Sequence, residues 1–558
     1  VALGLLILAR AAASEDRAAL DAAAVASPDR YGALAAAEVL RAGGNAVDAA
    51  VATGFALAVT YPEAGNLGGG GFMTLYIDGK PFFLDYRETA PGAATASLYL
   101  DAKGEPVPDL SIVGNLSSGV PGTVSGLYAA HQRFGKLAWK RDLAPAIAYA
   151  RGGFVVTEQL IGIRDGSQQP FLRHTNFQRY FGAMHAGKVF KQPQLAATLE
   201  RIAKNGPREF YRGRTARLIV AQMQRGAHRG LIGASDLARY AAKWRDPVIG
   251  DWEGMTVITA PPPSSGGIAL LQMLRMKADA APLFQGVTLN SPQYIHLIAE
   301  IEKRVFADRA EYLGDPDFVT VPVAQLIDPA YLAARARQID SAKPSVTQTV
   351  RPGLEKPQTT HYSIVDRWGN AVSNTYTLNG WFGSGVVVEG AGFLLNDEMD
   401  DFSAKPGVPN MYGVVGAEAN AIAPFKRPLS SMTPSILLNG DQTAMVLGTP
   451  GGSRIFTSVF QVLVDVYDFH LGLNTALAQF RFHHQLTPEN TLFDEPFARF
   501  PDDLAQALSA RGYRIENQDF NGDIEAIQIV GDQPLPAADP RARGMAIVVR
   551  QDGATGSH

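Results

Sequence analysis

The chain has no cysteine among its 558 residues. That absence excludes disulfides, thiol nucleophiles and thiolate metal sites, and it leaves the compartment open. Long basic runs are missing as well. With a formal charge of only −4, nothing favours nucleic acid or an anionic membrane surface as a partner. No internal stretch has membrane-spanning length: AVDAAVATGFALAVT (46–60) is too short and carries Asp48. Metal-ligand spacing is absent too, since among ten histidines only His483 and His484 are adjacent and no H-E-x-x-H occurs. NLGGGGF (66–72) lacks the frame of a nucleotide-binding fingerprint, and PPPSSGG (261–267) lacks the G-x-S-x-G of a nucleophile elbow. The first reads as a place of close backbone approach, the second as a structural turn.

What is present suits a globular enzyme with a large core: 46% hydrophobic and 19% charged residues. The opening VALGLLILARAAASED pairs an apolar run with small residues around Ala11–Ser14, the pattern of a secretory signal remnant over 1–14 whose basic start is missing. A periplasmic or secreted enzyme is the expectation that follows. Ser27-Pro28-Asp29 predicts a helix start with Ser27 as cap, and Gly43-Gly44-Asn45 a turn into a second apolar helix. Ser291-Pro292 opens a long amphipathic helix stopped by Gly314 and Pro316. Beyond residue 359 strand-like segments dominate: 385–396, 434–440, 443–452 and 545–553.

The junction between these halves is KPQTTHYSIVD (356–366). Residues 341–358 are rich in breakers, whereas HYSIVD and AVSNTYTL flank the turn-like RWGN and predict a β-hairpin. A threonine pair thus stands where a linker meets a strand. Thr is a good strand residue, so a plain strand start would explain the pair. Farther on, GTPGGSR (448–454) follows an apolar strand, and successive glycine N–H groups there can form a concavity for an oxyanion.

Nine stretches together carry a resemblance: 43–72, FLDYRETAP (83–91), GVPGTVSGL (119–127), PPPSSGGI (261–268), QTTHYSIVD, TYTLN (375–379), LLNDEMDDFSAKPGVPN (394–410), KRPLSSMTPSI (426–436) and TPGGSRI (449–455). In order and spacing, over about residues 27–545, they resemble the γ-glutamyltransferase family. The resemblance implies a four-layer αββα fold of the N-terminal-nucleophile hydrolase type, with no cofactor and no metal. It implies self-cleavage between Gln358 and Thr359, giving a large subunit (15–358, ending in the linker at about 341–358) and a small one (359–558) that remain one αββα unit. Thr359 would then be nucleophile and, through its freed α-amine, base; Thr377 would orient it, and Gly451 and Gly452 would form the oxyanion hole.

Substrate roles follow by the same matching. Arg87 answers to the arginine for the α-carboxylate, Ser430 and Ser431 to its hydroxyl partners, and Asn379, Glu398 and Asp401 to the ammonium set. Glu398 stands where some relatives have Gln. Tyr412, in DFSAKPGVPNMYGVVG (401–416), resembles the tyrosine of a lid loop in bacterial members. The implied partners are glutathione and other γ-glutamyl compounds, with water, amino acids or dipeptides as acceptors. Alternatives are an acylase of different specificity, of the cephalosporin or poly-γ-glutamate type, and a periplasmic amino-acid-binding protein without turnover.

Overall fold

Strand alternation assigns each face of the central sheets to a different neighbour. The structure, a computed structural model, describes residues 19–226, 228–346, 359–405, 418–486, 488–517, 522–550 and 555–557. The apolar N-terminal stretch, Gln358 and Tyr412 lie outside these residues.

An eight-stranded antiparallel sheet runs, from edge to edge, through Thr555–Ser557, Met545–Val549, Ala23–Ser27, Thr360–Val365, Ala371–Thr377, Gly70–Ile77, Lys80–Asp85 and Lys243–Arg245. A six-stranded sheet stacks on it, in the order Gln533–Ala538, Glu525–Val530, Gln442–Gly448, Ser435–Asn439, Met255–Thr259 and Val248–Trp252. Both sheets mix strands from before residue 358 with strands from after 359. Along Ala23–Ser27, Ala24 and Ala26 enter a cluster between the sheets with Ile258, Ile436, Val446 and Ile527. Ala23 and Val25 face the helices instead. On that side Ala46–Thr60 is buried at every position, which explains why its apolar residues show no stripe. The six-stranded sheet carries Gly266–Asp279, Pro292–Tyr312 and Ile455–Tyr467 on its outer face. The layers are therefore helix, sheet, sheet, helix, the αββα arrangement expected.

The hairpin at the junction forms as its alternation predicts, with Gly369 at φ +75° in the turn. The Gly43-Gly44-Asn45 turn also forms, and Asn45 and Asp48 make a reciprocal capping box. Ser291 caps Pro292–Tyr312 through the N–H of Tyr294.

Two expectations are corrected. Ser27 ends a strand, and the first helix, Arg30–Arg41, is capped by Asp29, which accepts from the N–H of Tyr31 at 2.8 Å. The stretch 385–396 is not a strand. Gly385, Gly390 and Gly392 all adopt positive φ, and the segment turns too tightly for a ladder, leaving only the bridges Val387–Leu394 and Gly68–Leu395.

Candidate active site

In the hairpin, Tyr376 pairs with Thr360, so the antiparallel register carries Thr377 opposite Thr359. Thr377 pairs on its other side with Gly70, and Gly71 exchanges backbone hydrogen bonds with Tyr86. One further step along both strands puts Arg87 beside Gly70. Thr359, Thr377, Gly70 and Arg87 thus form one row across four strands and share the face toward the second sheet. At strand spacings of ~4.8 Å the row is about 14 Å long. The neighbouring positions confirm which face it is: Ser363 donates to the carbonyl of Glu525 at 2.8 Å, and Ser373 to that of Leu447 at 2.9 Å. Thr360 points to the helical side, and its buried hydroxyl has no hydrogen-bond partner among the described residues.

Glycine is required where the row is crowded. A Cβ on Gly69 would lie 1.9 Å from the carbonyl oxygen of Thr377, and one on Gly68 would lie 2.1 Å from that of Leu394. NLGGGGF therefore does what was expected of it, and does so beside Thr377. Thr377 Oγ1 accepts from the N–H of Asn379 at 2.8 Å. Asn379, at φ +76°, donates its amide to the carbonyl of Asp397 at 3.0 Å.

The second sheet supplies the opposite wall. Gly448 presses on the His361 ring, where a Cβ would meet it at 2.4 Å. The loop beyond it places Gly451 at φ 145° and Gly452 at φ 57°, conformations that side chains resist. His361 is locked between Thr375 Oγ1 (2.8 Å) and Ser363 Oγ (3.0 Å), and burial pushes it down to about 3. It is neutral at physiological pH and too weak a base to activate a hydroxyl.

Around Arg87 the site is a dense charge cluster. The guanidinium pairs with Glu398 and Asp401, lies 3.8 Å from Glu88, and donates to the carbonyls of Pro428 and Leu429 at 3.3 Å each. Burial opposes its charge, but Glu398, Asp401 and Glu88 outweigh that and push Arg87 upward. Burial in turn raises Glu398 and Asp401, because one guanidinium cannot neutralise three carboxylates. The cluster can thus receive a second cationic group, and its arginine can exchange a side-chain carboxylate for a ligand's.

Ser430 and Ser431 form the rim. Ser265 donates its N–H (2.7 Å) and Oγ–H (2.8 Å) to the carbonyl of Ser430, and Ser264 Oγ donates to that of Met432 at 2.6 Å. PPPSSGG is therefore a turn that scaffolds this rim. Residues 406–417, with Tyr412, are outside the described set, but the loop's two ends meet where Ser403 bridges Ala421. Asn420 then ties them to the site by donating to the carbonyl of Asp401 at 2.7 Å.

Two participants were missed in the sequence. Arg309 reaches Ser265 Oγ at 3.0 Å and Ser431 Oγ at 3.1 Å, and its charge acts on Asp401. Glu88 is fully buried, with neither carboxylate oxygen hydrogen-bonded among the described residues. No spacing signal announces Arg309, which belongs to a helix that reads as amphipathic. The Arg-Glu pair in DYRETAP was visible, but not the burial of its second member.

Burial, opposed by Arg87, holds the Glu88 carboxyl up at about 8 against an ordinary 4.5. The folded chain therefore binds this proton more tightly than the unfolded chain. The associated stability is complete below pH 4.5 and is lost as pH rises through 8. Glu88→Gln is neutral throughout, so its melting temperature relative to wild type should climb between pH 4.5 and 8. Thermal unfolding across that range measures it; a constant difference would contradict the assignment.

The layered sheets, with Thr359 and Thr377 in one row beside a buried charge cluster, are those of an N-terminal-nucleophile hydrolase fold. The family model described as Gamma-glutamyltranspeptidase matches residues 32–549, and the chain belongs to that family. It is 60% identical to the glutathione hydrolase proenzyme of Pseudomonas aeruginosa, over 99% of this chain and 98% of that one. Cephalosporin acylase from Bacillus halodurans superposes with a TM-score of 0.82 at 28% identity, covering 95% of this chain and 96% of that one. The gamma-glutamyltranspeptidase from Pseudomonas nitroreducens complexed with L-DON is 61% identical, with a TM-score of 0.57, covering 58% of this chain and 97% of that one. No helix of the described residues is long and apolar enough to cross a membrane.

Proposed function

We propose that this chain is a γ-glutamyl acyl-transfer enzyme that matures by cutting itself before Thr359 and then acts on glutathione and related γ-glutamyl amides. The observation that carries the reading is the single row of Thr359, Thr377 and Arg87 on the face toward the second sheet. Cleavage leaves Thr359 with both a hydroxyl and a free α-amine. An α-amine has a reference pKa near ~8, low enough to accept the hydroxyl proton at neutral pH. With His361 neutral and locked, the amine is the base at hand.

The donor enters with its α-carboxylate on Arg87 and the Ser430–Ser431 rim, and its ammonium on Glu398, Asp401 and Asn379. Thr359 Oγ attacks the γ-carbonyl, and the oxyanion takes hydrogen bonds from the N–H groups of Gly451 and Gly452. The leaving amine receives the proton held by the Thr359 α-amine. The resulting ester is opened by water, releasing glutamate, or by the amine of an amino acid or dipeptide. Tyr412 and its loop are assigned to covering the bound glutamyl group. The 58% coverage of this chain by nearly all of the P. nitroreducens chain supports two-chain maturation. An N-terminal export signal, hence a periplasmic or secreted enzyme, fits the apolar start.

The likeness to a cephalosporin acylase supports a second reading, a related acylase of different specificity. Glu398 and Asp401 favour the glutamyl donor, because two carboxylates share the Arg87 guanidinium and can take a ligand's ammonium. Purified enzyme with glutathione should release glutamate, and added glycylglycine should divert the acyl group to a γ-glutamyl tripeptide. Cleavage of glutaryl amides in preference to γ-glutamyl amides would overturn the assignment.

A further inference from the structure

The outer helical layer holds a second cluster that the acyl-transfer reading does not use. We propose that Asp48, His131 and Asp142 form a binding site for one divalent transition-metal cation, of the zinc type, that joins three helices. Asp48 stands in the first turn of Ala46–Thr60, His131 in the last turn of Thr123–Phe134, and Asp142 at the end of Trp139–Asp142. Their candidate ligand atoms all lie within 4.8 Å of one another.

Asp142 points to a ligand most directly. It is fully buried, and neither carboxylate oxygen has a hydrogen-bond partner among the described residues. Its nearest polar neighbour in the cluster is His131 Nε2, 3.4 Å from Oδ2. A buried carboxyl with no hydrogen bond is expensive to keep, and a bound cation would satisfy it.

The remaining geometry is that of a ligand set. A tetrahedral zinc with ligands at ~2.0–2.1 Å separates neighbouring ligand atoms by ~3.3 Å, close to the His131–Asp142 spacing. In the unliganded chain His131 Nε2 donates to the carbonyl oxygen of Leu137 at 2.9 Å, a hydrogen bond that the ion would displace. Asp48 is already oriented by backbone N–H groups of Asn45 (2.9 Å), Lys136 (2.9 Å) and Leu137 (3.2 Å), the supporting contacts that a ligating carboxylate needs. The His131 ring is held edge-on by Trp139, with centroids 5.2 Å apart. One imidazole and two carboxylates balance a divalent charge, and nitrogen with oxygen donors suits zinc or manganese. His131 is 13% exposed, which leaves the ion a way in. These helices flank the layer behind the nucleophile's hairpin, where Tyr362 donates to the carbonyl of Ala50, so the ion's role is structural.

The full chain, stripped with a chelator and dialysed, is titrated calorimetrically with zinc chloride, and its melting temperature is followed in parallel. One equivalent per chain should bind and raise the melting temperature by about 2 °C or more. Asp142→Asn and His131→Gln should each weaken binding at least ~10-fold and remove the thermal gain. Asp142→Asn removes a buried carboxyl that has no hydrogen bond, at nearly constant volume, so its zinc-free form should melt no lower than wild type, which separates lost binding from lost folding. Absence of saturable binding by the wild type, or equal binding by both variants, would overturn the site.

Discussion

Thr359→Ala is expected to yield one uncleaved polypeptide with no measurable acyl transfer, where the wild type yields two. The reason is local. Thr359 is the last residue before the regular hairpin, 5% exposed, and in register with Thr377, and its hydroxyl is the one proposed to attack the preceding carbonyl. Alanine keeps the backbone and the strand but removes the hydroxyl proposed as the nucleophile of both self-cleavage and turnover. Loss of such a group costs ~10⁴-fold or more even where the rest of the site is intact. Thr359→Ser keeps hydroxyl and amine and should still mature. Thr360→Ala should also mature, since that side chain faces the helices. A denaturing gel with N-terminal sequencing reads all three; two bands from Thr359→Ala would place the cut or its agent elsewhere.

The second large effect is at Arg87. Arg87→Lys and Arg87→Ala are both expected to raise KM for γ-glutamyl donors at least ~10-fold while leaving maturation intact, because only the donor carries the α-carboxylate. Lysine fails for a geometric reason. The guanidinium satisfies Glu398, Asp401 and the carbonyls of Pro428 and Leu429 at once, a fan that a single ammonium cannot reproduce. Removing the cation also leaves Glu88, Glu398 and Asp401 without their common counter-charge, so they should take up protons and bind the donor's ammonium less well. Donor-saturation kinetics on gel-verified mature enzyme test this. An unchanged KM with either variant would remove Arg87 from the donor site.

Much of this was legible in the sequence where local chemistry decides. The hairpin at 360–377 followed from alternation and one glycine turn, and the start of the second helix from Gly43-Gly44-Asn45. The row from Thr359 to Arg87 follows from register once the sheet order is known, but the order itself is set by pairings hundreds of residues apart. Local signals misled where glycine changes the backbone's options, as in 385–396, whose valines suggest a strand that three positive-φ glycines prevent. They were silent where burial overrides appearance. Pro292–Tyr312 reads as amphipathic, yet Glu300, Lys303 and Arg304 are buried and paired with one another, and Arg309 turns toward Ser431. Ser264 and Ser265 looked like part of a turn because their acceptors, at Ser430 and Met432, lie far along the chain.

The most direct measurement is mass spectrometry of the mature enzyme, quenched during turnover of a γ-glutamyl donor and digested. The expected result is a small chain whose N-terminal peptide begins Thr359-Thr360-His361 and carries one added γ-glutamyl group on Thr359. A γ-glutamyl group on any other residue, or a chain that turns over donor while still joined across Gln358 and Thr359, would contradict the mechanism.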